Sequence, residues 1–206
     1  MPSSVFGNAG QDCCARSRIL VERSAYDDFV AALTDATEAM TVGDPLDETT
    51  EMGPMISDGQ RRTSLDYLGI GAEEGARVVT GGEVPDRPGF YLSPAVVADV
   101  DNSMRIAREE IFGPVLTIIP HDGDDDAVRI ANDSPYGLSG AVHSGDLERG
   151  WAVARRVRTG TMGINGGIWY GGDVPFGGYK ASGIGREMGV AGFEEYLETK
   201  SVAEPA

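Results

Sequence analysis

The chain has 206 residues, 41% hydrophobic and 24% charged, the make-up of a globular protein long enough to bury a real core. Seventeen basic against thirty-three acidic residues leave a formal charge of -16, which repels a phosphate backbone and an anionic bilayer, so neither nucleic acid nor membrane is an expected partner. No apolar run approaches the roughly 20 residues of a bilayer span, and the opening MPSSVFGN lacks the regions of a signal peptide, so a cytoplasmic protein is the default expectation.

In chain order the first feature is the chain's two cysteines, Cys13 and Cys14, set behind Gly10 and Gln11. Sequence neighbours cannot staple distant elements, so a disulfide framework is excluded and reduced thiols are expected. SRILVE (17–22) reads as a short buried strand. Ser24 followed by Asp27 reads as a helix start, and Phe29, Val30, Leu33, Ala36 and Met40 keep helical spacing until VGDP (42–45) stops the element. A second helix is predicted from Ser57 or Asp58 through Leu65 and Leu68. ARVVT (76–80) and FYLSPAVVADV (90–100) read as strands, rich in β-branched and aromatic residues and bounded by Gly and Pro.

The second half repeats the rhythm. VLTIIP (115–120) is a predicted strand, DDDAVRIAND (124–133) a helix with acidic residues at its N-terminal end, and LSGAVHS (138–144) another strand. DLERGWAVARRV (146–157) is a predicted helix with Trp151 and Ala154 inward and Val157 a third candidate, followed by the strand TMGIN (161–165). Strands alternating with helices predict an α/β fold with a largely parallel sheet flanked by helices. The Gly-rich stretch 163–189 is too long for a connector and carries Trp169, Tyr170, Phe176 and Tyr179, the composition of a binding loop. YLETKSVAEP (196–205) alternates like a strand but has no local hairpin partner, so it pairs with another part of the chain or with another subunit.

A cysteine is a nucleophile as thiolate, a form favoured by positive surroundings, a helix N-terminus or a nearby base. Gly7, Ala9 and Gly10 allow close backbone approach, so a carbonyl carbon could reach the Cys13 sulfur while main-chain N–H groups face its oxygen. The other reading makes Cys13 and Cys14 small buried hydrophobes at a strand start, and spacing alone leaves both open. Glu109 and Glu110 read either as a solvated helix end or as a carboxylate accepting ligand hydroxyls, as with a ribose. His121 or His143 would serve as base if the protein were a cysteine hydrolase or acyltransferase, but neither sits in a nucleophile-base pattern. The cysteines and histidines show no zinc-ligand spacing, so no metal is expected. GGYKASGIG (177–185) lacks P-loop spacing and a preceding strand, and is discounted as a phosphate cradle.

Five stretches in this order, FGNAGQDCCARSRILV, EEIFGPVL, NDSPYGLSGAV, GINGG and PFGGYKASGIGREMG, resemble the NAD(P)-dependent aldehyde dehydrogenase superfamily over about residues 6 to 202. The resemblance implies a catalytic domain over 1–190 and a tail, 191–206, whose strand joins an oligomeric sheet with a neighbouring subunit, in a homo-oligomer (dimer or tetramer) when full-length. It implies that Cys13, two residues after Gln11, attacks an aldehyde to give a thiohemiacetal, that hydride passes to NAD or NADP, and that water hydrolyses the resulting thioester, with a glutamate as base. Glu110 matches the residue bonding the nicotinamide-ribose hydroxyls, Phe112 one packing on the cofactor, and Gln60, in a looser motif, a cofactor-contacting position. Asn165 matches a residue beside the active site, and Trp169, Tyr170 and Phe176 would line an aldehyde tunnel suited to an apolar aldehyde or to a cationic amino-aldehyde.

Only the C-terminal part of the family pattern is matched. The water-activating glutamate, the oxyanion-hole asparagine and most of the Rossmann-type cofactor domain lie upstream of the cysteine in the family and would precede Met1. The expectation is therefore a truncated chain or one part of a longer enzyme, with the nicotinamide site reduced to its Glu110 and Phe112 side. A non-catalytic module that docks through its tail strand is the alternative from a different class.

Overall fold

A computed structural model describes residues 2–167 and 171–205. The chain packs as two compact units, 1–134 and 135–206. In the first unit, α1 (Ser3–Phe6), β1 (Arg18–Glu22), α2 (Tyr26–Glu38), α3 (Asp58–Glu73), β2 (Arg77–Thr80), β3 (Ala95–Ala98), α4 (Arg105–Arg108), β4 (Val115–His121) and α5 (Asp124–Asn132) follow one another. The second holds β5 (Ser139–Val142), α6 (Leu147–Ala154), β6 (Thr161–Ile164) and α7 (Gly189–Glu194).

β4 organises the first unit. Its apolar run is that of a strand covered on both faces, and Val115 through Ile119 are all buried. It pairs in parallel with β1 on one side and β3 on the other, and β2 adds antiparallel to β3, giving the order β1-β4-β3-β2. Alternate side chains of a strand point to opposite faces. Leu116 and Ile118 thus join Val96 and Ala98 in one apolar cluster with Val30 and Leu33 of α2. Val115 and Ile119 join Ala95 and Val97 in another, with Leu68 of α3 and Ile130 of α5. Helices cover both faces, and the sheet is largely parallel, as the alternation of elements predicts.

Pro120 sits in β4 without leaving an orphan donor. Thr117 donates its N–H to Ser17 on the β1 side, so even-numbered residues turn their amides toward β3. β3 ends at Ala98, and the proline falls where no ladder bond would be made. Across the start of the sheet, the Arg18 guanidinium donates to the Asn102 side chain and to the Ile130 and Ala131 carbonyls, while the Asn102 amide bonds Asp133. The amino end of β1 is thereby tied to the C-terminal carbonyls of α5, of which Ile130 also accepts the Asp133 N–H of the cap. Burial lowers the Arg18 pKa.

Three local expectations change. α2 begins at Tyr26 behind Ala25 with no side-chain cap, because Ser24 is absorbed into a 3₁₀ turn, Arg23–Ala25; Asp27 and Asp28 still occupy the first turn. Of residues 90–100 only Ala95–Ala98 pair, and Tyr91 and Leu92 enter the core without a partner strand. In the second unit β5 and β6 pair in parallel around α6, capped by Asp146. Trp151 is 50% exposed with the Arg155 guanidinium over its ring. The helix buries Gly150 and Ala154 instead, because small residues let it approach β6 closely at Ile164. Residues 198–205 are exposed and carry no regular secondary structure, so the tail at 196–205 pairs with no other part of the described chain. No described helix is long and apolar enough to cross a membrane.

Leu116, 0% exposed on the central strand, is the sharpest test of this core. Leu116→Ala is expected to lower unfolding free energy by about 2–5 kcal/mol in urea denaturation. Val78→Ala on the edge strand, 38% exposed in the native chain, serves as the comparison and should cost far less; equal losses would remove β4 from its central role.

Candidate active site

Cys13 lies on a turn built by Asp12. The Asp12 carboxylate accepts the Cys14 N–H at 2.7 Å, and the Ala15 N–H bonds the Asp12 carbonyl, so both cysteines occupy the tip. Cys13 is exposed and Cys14 is 6% exposed, with 3.9 Å between the sulfurs. The expectation of an accessible thiol and that of a buried small hydrophobe each fit one member of the pair. The Cys14 N–H is held by Asp12, whereas the Cys13 N–H makes no hydrogen bond within the described residues.

The approach to the turn is held in an uncommon backbone. Asn8, Ala9 and Gly10 have φ of 53°, 52° and 70°, a left-handed run that is strained at the two non-glycine positions. Asn8 Nδ2 donates to the Gln11 carbonyl, and the Gln11 N–H donates back to Asn8. A Cβ at Gly10 would collide with the Gly113 carbonyl, so the two backbones lie in direct contact. Gln11 Oε1 also accepts the Ile56 N–H at 3.0 Å, one residue before Ser57 caps α3.

α3 in turn fixes the loop that carries the second set of candidates. Gln60 Nε2 donates to the Ile111 and Phe112 carbonyls at 2.7 and 2.9 Å. Phe112 takes φ 55° and is 42% exposed as a residue. The two adjacent glutamates separate cleanly. Glu109 receives two bonds from the Arg105 guanidinium and one from the Tyr67 hydroxyl, which hold its pKa down at about 2. Glu110 is exposed and makes no bond within the described residues. Glu109 is therefore an anchor and Glu110 the carboxylate open to a ligand. Sequence reasoning missed the anchor and the Gln11 brace, because their partners are distant in the chain.

Of the three aids to a thiolate, positive surroundings are not found at Cys13 among the described residues. Desolvation of the sulfur, then the Cys14 thiol and the Asp12 carboxylate, raise its pKa above that of an ordinary thiol. A base or positive charge beyond these neighbours is needed to form the thiolate. His121 does not supply it. Glu22 pairs with His121 at the carboxyl end of the parallel strands, while Gly10 packs on Gly113 before their amino end, about 20 Å away along β4. His121 Nδ1 is instead 3.0 Å from the Gly123 carbonyl.

In the second unit, Asn165 at φ 52° clamps the ends of β5 and β6: its amide exchanges two 2.8 Å bonds with the Ser144 backbone. Phe176 is partly buried and exchanges backbone bonds with Glu187. Trp169 and Tyr170 lie outside the described residues. His143 belongs to this unit.

A family-wide sequence description, "Aldehyde dehydrogenase family", matches residues 1–202. The geranial dehydrogenase of Castellaniella defragrans is 48% identical over 98% of this chain and 42% of its own length. An aldehyde dehydrogenase of Mycobacterium tuberculosis, solved with NAD+, superposes with a TM-score of 0.92 at 50% identity, covering 100% of this chain and 43% of that one. A point mutant of betaine aldehyde dehydrogenase from Staphylococcus aureus, solved with NAD+ and a BME-modified cysteine, gives 0.92 at 43% identity, covering 96% and 42%. The chain thus spans about two fifths of the length of the relatives it matches.

The Glu109 anchor predicts an acid-sensitive loop. A carboxylate whose pKa is depressed on folding stabilises the fold above its unfolded value and loses that contribution as pH falls toward the folded one. Glu109→Gln should destabilise the chain near neutral pH, and the difference from the native chain in urea unfolding should shrink between pH 4.5 and about 2. A difference constant across that range would mean that the ion pair does not hold the loop.

Proposed function

The chain belongs to the aldehyde dehydrogenase family, and from that premise we propose that it carries the thiol and the nicotinamide-facing loop of an enzyme oxidising an aldehyde to a carboxylic acid. The observation that carries this reading is the Gly10–Gly113 contact, which packs the turn of Cys13 against the loop of Glu110 and Phe112. The cofactor fits these residues: an exposed carboxylate without a partner suits a ribose hydroxyl pair, and a half-exposed phenylalanine on a braced backbone suits an apolar face. When bound, it accepts the hydride. NAD+ is the proposed form, because both structural relatives described above are complexed with it.

Cys13 Sγ bonds to the aldehyde carbon as its proton passes to solvent water, and the carbonyl electrons move to oxygen. The Cys13 N–H, which makes no hydrogen bond within the described residues, is the donor proposed for that oxyanion. Once hydride has left the carbon, a thioester remains on Cys13; water adds to it, the C–S bond breaks, and the acid departs. Gln60 and Glu109 act one step back, by holding Phe112 and Glu110 in place. Asn165 does the same for the ends of β5 and β6. Phe176, Trp169 and Tyr170 are proposed to line the aldehyde's path. The substrate class is a small organic aldehyde, with an apolar one and a cationic one as the two cases, following the names of the relatives. The same reading gives a homo-oligomer in which the tail adds as a strand to a second copy, supported by the exposure of Tyr196 and Val202.

Iodoacetamide labelling with mass-spectrometric mapping should modify Cys13 well ahead of Cys14. In the protein carrying this chain, NADH formation from geranial or betaine aldehyde should fall at least about 10³-fold in Cys13→Ala. Turnover that persists in that variant would sink the reading.

A further inference from the structure

We propose that Asp12, Cys13 and Cys14 form a site for a thiophilic divalent cation, zinc foremost, which closes the Cys13 sulfur while it is bound. One ligand atom from each residue lies within 4.8 Å of the other two. The sulfurs are 3.9 Å apart; two Zn–S bonds of about 2.3 Å at the tetrahedral angle span about 3.8 Å, so the pair needs almost no rearrangement to chelate. An Asp12 carboxylate oxygen lies within 4.8 Å of both sulfurs, close enough to complete a three-ligand set. Exposure of Asp12 and Cys13 leaves a fourth position to water.

The donor set selects the metal. Two thiolates and a carboxylate favour zinc or cadmium, whereas magnesium and calcium require oxygen ligands. Binding forms two metal–sulfur bonds, releases the two thiol protons to solvent and involves no redox change. A chain of formal charge -16 draws cations toward its surface. The spacing argument against zinc concerned ligands spread along the chain and does not reach three consecutive residues on one turn. Only the consequence, inhibition, rests on the nucleophile reading of Cys13; the binding does not.

The test is titration of the full chain with ZnCl2 against a chromophoric zinc indicator, with MgCl2 as control. The native chain should take one tightly held zinc. Cys13→Ser, at an exposed position, and Asp12→Asn, which keeps the oxygen accepting the Cys14 N–H, should each weaken it by about tenfold or more. Cadmium should give an ultraviolet thiolate charge-transfer band that is reduced in Cys13→Ser. Zinc should suppress iodoacetamide labelling of Cys13, and EDTA should restore it. Equal zinc affinity in the native chain and Cys13→Ser, displacement of the metal by magnesium, or undiminished labelling at saturating zinc would overturn the proposal. Fast labelling of Cys13 without zinc retention would overturn this site and leave the catalytic reading standing. Zinc binding together with turnover that persists in Cys13→Ala would do the reverse.

Discussion

Where Gly10 meets Gly113, backbone lies on backbone with no room for a side chain, and the candidate site depends on that contact. Gly113 is itself pressed on the far side by Ser64 of α3. The turn of Cys13, the loop of Glu110 and Phe112, and the first turns of α3 thus form a stack whose spacing is set by missing Cβ atoms. Two side-chain amides then fix its lateral position, Gln11 on the Ile56 N–H and Gln60 on two carbonyls. The strain of Asn8 and Ala9 fits this arrangement, since a loop pressed so closely onto another has few backbone paths open to it.

The core strand beneath provides the rigidity. Pro114 leads from the contact into β4, whose parallel neighbours and two apolar clusters leave it little freedom. A site built on the amino end of such a strand inherits its order, whereas a site on a free loop would have to be ordered by its ligand.

Sequence reading succeeded where the signal is local and periodic. The apolar run 115–119 declares a doubly covered strand, Ser57 declares the start of α3, and the acidic residues from Asp124 declare that of α5. It failed where phase or distance decides. Trp151 looks like a core residue by size, yet the helix turns Gly150 and Ala154 inward because close approach outweighs bulk there. The glutamate pair is ambiguous on the page of the sequence, and only Arg105 and Tyr67, brought together by packing, tell the anchor from the open carboxylate. In the same way, the motif names Cys13, but the charge and burial that raise its pKa arise from the turn's geometry.

Pro120 bears on a different hazard. β4 outruns β3, so beyond Ile118 it has no strand partner on that side, and an unpaired strand flank is the kind of template on which a stray strand from another molecule could dock and seed aggregation. A proline at the next donor position offers such an intruder no N–H to grip, and it leaves the legitimate pairing with β1 untouched. The residue that looks least suited to a sheet thus works as a gatekeeper, protecting the strand on which the site is built.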